Sequence, residues 1–372
     1  MKQADKYEKP TVPVSYAQLL LEIVIERGVD TSELFKGLPV SPNLLEKPAA
    51  RMSAMQWGML VTRAMRILSE PALGYECGLR TRPTAHGFLG YAVLSCGSVR
   101  ESMELVIRYF QTRQRDFGIR MLIEQEYAAI EVFELHPIVS ASTKNLERIS
   151  TTTTNATDLL WQLRRFFYEH ILLGIARSAA VMVGRDLLEL EGELCFDWAK
   201  PGYHALWQDR LPTVRFSRPS NQLRLPVKVL EMRPVLADPL ATKQAIELCE
   251  RELVQTGAAG DSTTLRVCAE LIQSKNGGYP DQETVAARLH MSSRTLARKL
   301  NEDGASFQQL IEKTQRHDAC ELIENTDLDL QEIASRLGYQ NPANFTRAFR
   351  KWTGDSPSQY RLVMTRTGWR NR

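Results

Sequence analysis

The stretch IASRLGYQNPANFTRAFRKWTG (residues 333–354) carries two helical signals separated by a bend. Leu330, Ile333, Ala334 and Leu337 recur at the i, i+3, i+4, i+7 spacing that gives a helix one apolar face. Phe345, Ala348, Phe349 and Trp352 repeat that spacing beyond Gly338 and Pro342. The spacing predicts two helices that share one small core. At about 100° per residue, the second helix places Ala343, Arg347, Arg350 and Lys351 opposite its apolar face, on a surface without an acid. A single basic helix face is more often a solvated surface than a binding one, because Lys and Arg favour exposure whatever they do.

A second copy changes that balance. VAARLHM (285–291) aligns with IASRLGY (333–339), placing Ala286 on Ala334, Arg288 on Arg336 and Leu289 on Leu337. In SSRTLARKL (292–300), after a bend one residue shorter, Leu296 and Leu300 share one face and Arg294 and Arg298 share the other. The chain therefore carries one helix-turn-helix unit twice. Between the copies, SFQQLIEKTQRHDACELIE (306–324) reads as a connecting helix with Phe307, Leu310, Ile311, Thr314 and Leu322 or Ile323 inward. A helix that enters a B-DNA major groove needs long side chains with N–H donors, cations near the flanking phosphates and a supporting helix behind it. Both copies offer all three, and two readers in successive grooves would stand about one turn, ~34 Å, apart.

Net charge does not announce this role. Residues 261–372 hold 16 Lys and Arg against 14 Asp and Glu, a balance of +2. The layout is more telling, because ten of those sixteen lie in three acid-free stretches: Arg294, Arg298 and Lys299; Arg347, Arg350 and Lys351; and Arg361, Arg366, Arg370 and Arg372. Glu321, Glu324, Asp327, Asp329 and Glu332 form a run without a base. Segregated signs fit a domain with one side toward phosphates and one turned away.

The whole chain has 372 residues, 43% of them apolar and 24% charged, which is ordinary globular composition with room for two domains. Six cysteines stand far apart without a C-x-x-C pair, so neither a zinc site nor a disulfide framework is indicated. The first residues contain lysines but no apolar core of a signal peptide, and no membrane span is expected.

LVQTGAAGDSTT (253–264) reads as a linker. The expected organisation is an N-terminal domain over 1–255, a linker over 256–262 and a C-terminal domain over 263–372. The N-terminal part begins with helices over 16–28, capped by Gly28, and over 53–68. A third helix starts near Ser98, with Glu101 at the spacing of a capping box. Strands over 119–126 and 128–135, a long helix over about 145–177, strand-like pieces over 188–198 and 213–226 and a helix over 240–254 follow. This is an α+β domain with an antiparallel sheet, followed by an all-α domain.

The C-terminal stretch resembles the signature of the AraC/XylS transcription regulators, on Gly338, Phe345, Arg347, Phe349, Gly354, Pro357 and Tyr360, over roughly 263–362. The resemblance implies base reading at Arg294, Ala297 and Arg298 in the first recognition helix, and at Pro342, Ala343 and Arg347 in the second. Pro342 and Ala343 have no hydrogen-bonding side chain, which leaves Arg347 as the second unit's main reader, with Asn341 and Asn344 as weaker candidates. Phosphate contacts are expected from Ser292, Thr295 and Lys299, and from Asn344, Arg350 and Lys351. The N-terminal part, over about 20–240, resembles the arabinose-binding-type domain of regulators of amino-acid catabolism, such as the ornithine-utilisation regulators. That implies a sensory domain for a small-molecule effector, self-association as a homodimer, promoter DNA and RNA polymerase as partners, no cofactor and a bacterial cytoplasmic activator.

Glu131 and Glu134, or Glu189, Glu191 and Glu193, could pair for acid–base chemistry, but alternating Glu on a strand usually forms its solvated face. His136 and His204 lack metal-ligand spacing, GVDTSELFKG (28–37) lacks the Lys-Ser/Thr of a phosphate loop, and the aromatic run CFDWAKPGYHALW (195–207) reads as core. The alternatives kept open are a regulator answering to a protein partner or to no ligand, and an N-terminal domain that transforms its ligand.

Overall fold

The computed structural model describes residues 10–47, 49–123, 126–135, 156–256, 263–271, 277–302 and 305–366. It divides into two compact units, Met1–Ala259 and Gly260–Arg372. Of the expected linker only Thr256 is described, as the C-cap of the preceding helix; 257–262 lie outside the described residues, as do His136, Arg370 and Arg372.

In the first unit a short ribbon, β1 (Pro10–Pro13) with β2 (Arg51–Ser53), frames α1 (Val14–Glu26), α2 (Thr31–Phe35) and α3 (Pro42–Leu45). Gly28 follows α1 at φ +69°. α4 (Ala54–Leu68) starts from a capping box in which Ser53 and Gln56 satisfy each other's backbone N–H. α5 (Leu73–Arg80), α6 (Phe88–Ser95) and α7 (Val99–Tyr109) follow. At α7 the expected box is only half formed. Ser98 accepts from the Glu101 N–H, but the Glu101 carboxylate reaches past Ser98 to the N–H of Gly97, at 2.7 Å.

The sheet runs β3 (Phe117–Ile123), β4 (Tyr127–Glu134), β7 (Asn221–Pro226), β5 (Glu193–Cys195), β6 (Thr213–Arg215), in that spatial order. Three of its pairings are antiparallel as expected, but β5 and β6 run parallel. Parallel neighbours need a crossover, which residues 196–212 supply through the 3₁₀ turns Gly202–Leu206 and Gln208–Arg210. Phe196, His204 and Trp207 of that crossover are buried in the core. The expected strand at 188–198 shrinks to β5, because Leu188–Leu190 form a 3₁₀ turn and Glu191 sits at φ +54°. Glu131 overturns its solvated-face reading. It lies on the inner strand β4, flanked on both sides, and is buried with Arg120 paired to it across the sheet.

The long helix α8 (Ala156–Val183) forms the unit's axis and runs further than expected, to the left-handed Gly184 at φ +66°. Its described start is Ala156; the expected start at about 145 lies outside the described residues. Asp158–Val183 is long and apolar enough to cross a membrane, yet 83% of its most apolar window is buried inside the unit, as expected for a core helix. α5 lies close against it because Gly74 and Gly78 have no side chain. A Cβ on Gly74 would stand 2.5 Å from Oε2 of Glu169, and one on Gly78 2.8 Å from the Cβ of Leu173. α9 (Val227–Leu230) and α10 (Pro239–Gln255), capped by Asp238, complete the unit.

The second unit is helical throughout its described residues: α11 (Thr263–Glu270), α12 (Gln282–Arg288), α13 (Ser293–Glu302), α14 (Phe307–Asn325), α15 (Leu330–Arg336), α16 (Pro342–Thr353) and α17 (Pro357–Arg366). It has two small cores. Val285, Ala286, Leu289, Leu296 and Leu300 build one, and Ile333, Ala334, Leu337, Phe345 and Phe349 build the other. α14 serves both, giving Leu310 to the first and Ala319, Cys320 and Ile323 to the second.

Candidate nucleic-acid interface

The duplication extends to main-chain hydrogen bonds. In the first copy Leu289, His290 and Met291 donate to the carbonyls of Val285, Ala287 and Ala286; in the second, Leu337, Gly338 and Tyr339 donate to Ile333, Ser335 and Ala334. Both turns pass through a left-handed residue, His290 at φ +56° and Gly338 at φ +84°. Supporting helices α12 and α15 each start from an Asp, with Asp281 accepting from Thr284 N–H at 2.8 Å and Asp329 from Glu332 N–H at 2.7 Å.

Gly338 has a second reason to be glycine. The Gly277–Gly278 segment, which leads into the first helix-turn-helix, lies on the turn of the second. Gly278 N–H donates to Arg336 O at 2.8 Å, and a Cβ on Gly338 would stand 2.8 Å from Gly278 Cα. Tyr279 packs into the second core and donates to Asp318 on α14. The two readers are thus joined by this clasp as well as by α14. A Gly-Gly pair looks like any loop in the sequence, so its docking could not be read there.

On the first recognition helix, α13, Arg294 and Arg298 are exposed, whereas Thr295, Ala297 and Lys299 are half-buried. Ser292 is exposed but its hydroxyl accepts from the Thr295 N–H at 3.2 Å and pairs with the Thr295 hydroxyl at 2.9 Å, so both side chains shape the helix start. Arg298 is paired with Glu302 one turn on, both side chains more than half exposed. Arg294 has no ion-pair partner among the described residues.

On the second, α16, Ala343, Asn344, Arg347, Arg350 and Lys351 are all exposed, and Phe345 and Phe349 are fully buried behind them. Asn341 caps the helix by accepting from Ala343 N–H at 2.8 Å, with Pro342 at its first position. Arg347 donates to the Asn344 side chain at 2.6 Å. The surface is not purely basic, contrary to expectation from this helix alone. Glu312 on α14 accepts from Lys351 at 2.8 Å and from the Trp352 indole at 3.0 Å. These two bonds, that from Lys351 foremost, hold the Glu312 carboxyl below its usual range. Arg350, next to Lys351, has no side-chain partner among the described residues. Among the described residues no three His, Cys, Asp or Glu side chains group as a metal site would need.

Comparison with known proteins agrees with both halves. Residues 28–234 match the family described as the arabinose-binding domain of AraC transcription regulators, and residues 285–362 match a helix-turn-helix domain family. The chain is similar to the ornithine utilization regulator of Pseudomonas aeruginosa, at 30% identity over 97% of this chain and 99% of the relative. It is also similar to an uncharacterized helix-turn-helix-type transcriptional regulator of Mycobacterium tuberculosis, at 28% identity over 94% and 95% of the two chains. Among solved structures, the transcriptional regulator CdpR from Pseudomonas aeruginosa aligns with a TM-score of 0.44 and 19% identity, covering 94% of this chain and 98% of that one. With an N-terminal family match over more than half its length and a relative matched across nearly all of both chains, this chain belongs to the AraC family of transcription regulators and is a DNA-binding protein, not an enzyme.

Proposed function

We propose that this regulator is a cytoplasmic activator in which a small metabolite bound by the N-terminal domain controls how the C-terminal domain engages a promoter. The domains are taken as 1–255 and 263–372, joined by 256–262. Helices α13 and α16 enter successive major grooves. Arg294, Ala297 and Arg298 read bases in one, and Ala343 and Arg347 read them in the other. Lys299, Arg350 and Lys351 serve phosphates, helped by Ser292, Thr295 and Asn344. The observation that carries this reading is the turn built twice with matching hydrogen bonds, each presenting exposed arginines on the helix that follows it. Such a pair suits direct readout, because an arginine can take a guanine edge bidentately.

The first unit pairs with a second copy, so each operator holds two sites and tethering multiplies their avidity. RNA polymerase is the partner at the promoter. A relative named for ornithine utilization makes metabolites of amino-acid breakdown the first class to screen. The test is transcription in vitro from a promoter with a selected binding site, with and without each metabolite. A metabolite that raises transcript yield and changes operator affinity supports the reading. Unchanged transcription and affinity across the whole panel, with intact sequence-specific binding, would leave a regulator without effector control.

A further inference from the structure

The first unit contains a cavity between α6, α7, α8 and the 3₁₀ turn Pro83–His86. Its volume is about 50 Å³, several times the ~10–15 Å³ that one water needs. One part of its wall is apolar, built by Leu89, Val93, Met103, Ile171 and Ile175. Val106 and Phe110 extend that apolar part, and a smaller part is polar and buried. Arg113, Gln114, His170 and Ser178 are each less than 8% exposed. Arg113 Nε, Gln114 Nε2, His170 Nδ1 and Ser178 Oγ have no hydrogen-bond partner among the described residues. Buried polar atoms are almost always paired, so four unpaired ones on one cavity wall point to a missing ligand.

The chemistry of that wall selects the ligand. Tyr16 and His86 pair through the phenol oxygen and Nδ1 at 2.7 Å. Burial pushes His86 down to about 3 and His170 down to about 4, so both rings are neutral at pH 7, and it pushes Tyr16 up to about 12. Among the described residues that line the wall, Arg113 carries the one formal charge and none is acidic. The Arg113 guanidinium donates to Glu252, whose other oxygen accepts from Arg51. Two arginines share one carboxylate, leaving an excess positive charge inside the protein. Such a wall favours an anion, and to a cation it offers neutral acceptors but no carboxylate.

Glu252 also ties the site to the chain's exit. It lies in the last turn of α10, and Thr256, the residue just beyond that helix, accepts through its carbonyl from Arg115. The end of the helix that precedes residues 257–262 is therefore held by Arg51, Arg113 and Arg115.

We propose that this cavity is the effector site, that it takes a small monocarboxylate with an apolar tail, and that the ligand carboxylate competes with Glu252 for Arg113. The inference rests on the effector-controlled reading above and names the site and ligand class for it. Drawing Arg113 from Glu252 loosens the end of α10, which is how occupancy reaches the following segment.

The test is calorimetric titration of the full-length protein with butanoate, hexanoate and octanoate, and with hexanol and hexylamine, which keep the tail and replace the head. At least one carboxylate binds saturably, one per chain, and the alcohol and amine of matching length bind at least about tenfold more weakly. Arg113→Gln weakens the carboxylate about tenfold or more, Ile175→Trp blocks it by filling the apolar end, and Glu252→Gln tightens it several-fold by releasing Arg113. Circular dichroism establishes which variants fold; if Arg113→Gln does not, Ile175→Trp and Glu252→Gln decide. No binding by any of the carboxylates, equal binding by hexylamine, or affinities unmoved in the folded variants would overturn the proposal. Carboxylate binding that obeys these rules but leaves operator affinity unchanged keeps the site and refutes effector control. Operator affinity that answers to another metabolite equally in wild type and Arg113→Gln keeps effector control and refutes this site.

Discussion

Replacing Arg298 with Ala separates base reading from phosphate holding on the first recognition helix. Its side chain is 62% exposed and packs against no core, and Ala is a better helix former, so α13 survives the change. A lost bidentate base contact costs ~1–3 kcal/mol. In the free protein Arg298 pairs with Glu302, itself 59% exposed, and a pair so open to water is worth ~0–1 kcal/mol. The wild type must break that pair to bind and the variant need not, so mid-range values of about 2 and about 0.5 kcal/mol leave a net loss of roughly 1.5 kcal/mol. That corresponds to an operator affinity about tenfold weaker. Glu302→Ala removes the competitor and should tighten binding a few-fold. Fluorescence anisotropy with a selected operator and a scrambled duplex, over a salt series, measures both effects. Equal losses on the two duplexes, with the salt slope reduced by about one charge, would make Arg298 a phosphate contact and refute the assignment.

Three further outcomes follow from the geometry. Gly338→Ala adds a side chain at φ +84°, a left-handed conformation costing ~1–2 kcal/mol for other residues, and sets its Cβ 2.8 Å from Gly278 Cα; hydrogen exchange over 277–353 should accelerate, while His290→Gly, at the equivalent turn, should leave it nearly unchanged. Burial raises Glu169 to about 8, above ~4.3 for the unfolded chain, so the native state keeps a proton that the unfolded state gives up and stability falls as pH rises toward 8. Over pH 6.5 to 8 the loss is roughly 2 kcal/mol at 1.36 per unit; below 6.5 the depressed His86 and His170 lower stability in the opposite direction, as the unfolded state gains their protons. Urea unfolding should show the alkaline decline in the wild type and lose it in Glu169→Gln; a decline that persists in the variant would place the titrating group elsewhere. Glu312→Ala should free Lys351 and tighten binding to any duplex a few-fold with a steeper salt slope, and an unchanged slope would mean Lys351 stands clear of the phosphates.

The C-terminal unit was legible because its signals are local. Apolar spacing placed both helix pairs, and the match of 285–291 to 333–339 foretold a turn repeated down to its main-chain hydrogen bonds. What escaped depends on groups far apart in sequence. Gly278 meets Gly338 across sixty residues, Glu312 reaches Lys351 from a neighbouring helix, and Glu252 takes Arg113 from the far end of the first unit. Glu131 and Glu134 read as a solvated strand face, yet they are three apart and lie on opposite faces, and a flanked strand can bury a Glu when Arg120 stands opposite it. The parallel β5–β6 pair was hidden by strands of only three residues, too short to show a period. The cavity left no trace in the sequence, since its polar wall draws on residues from Tyr16 to Ser178.

Selection of binding sites from a randomised duplex pool by the full-length protein, repeated with Arg298→Ala and with Arg347→Ala, tests most directly whether two recognition helices read one site. Two blocks of preferred bases are expected, centred about 10–10.5 base pairs apart, with Arg298→Ala erasing the preference in one block and Arg347→Ala the single strong preference in the other. A single block, or two blocks that both persist in each variant, would contradict the account.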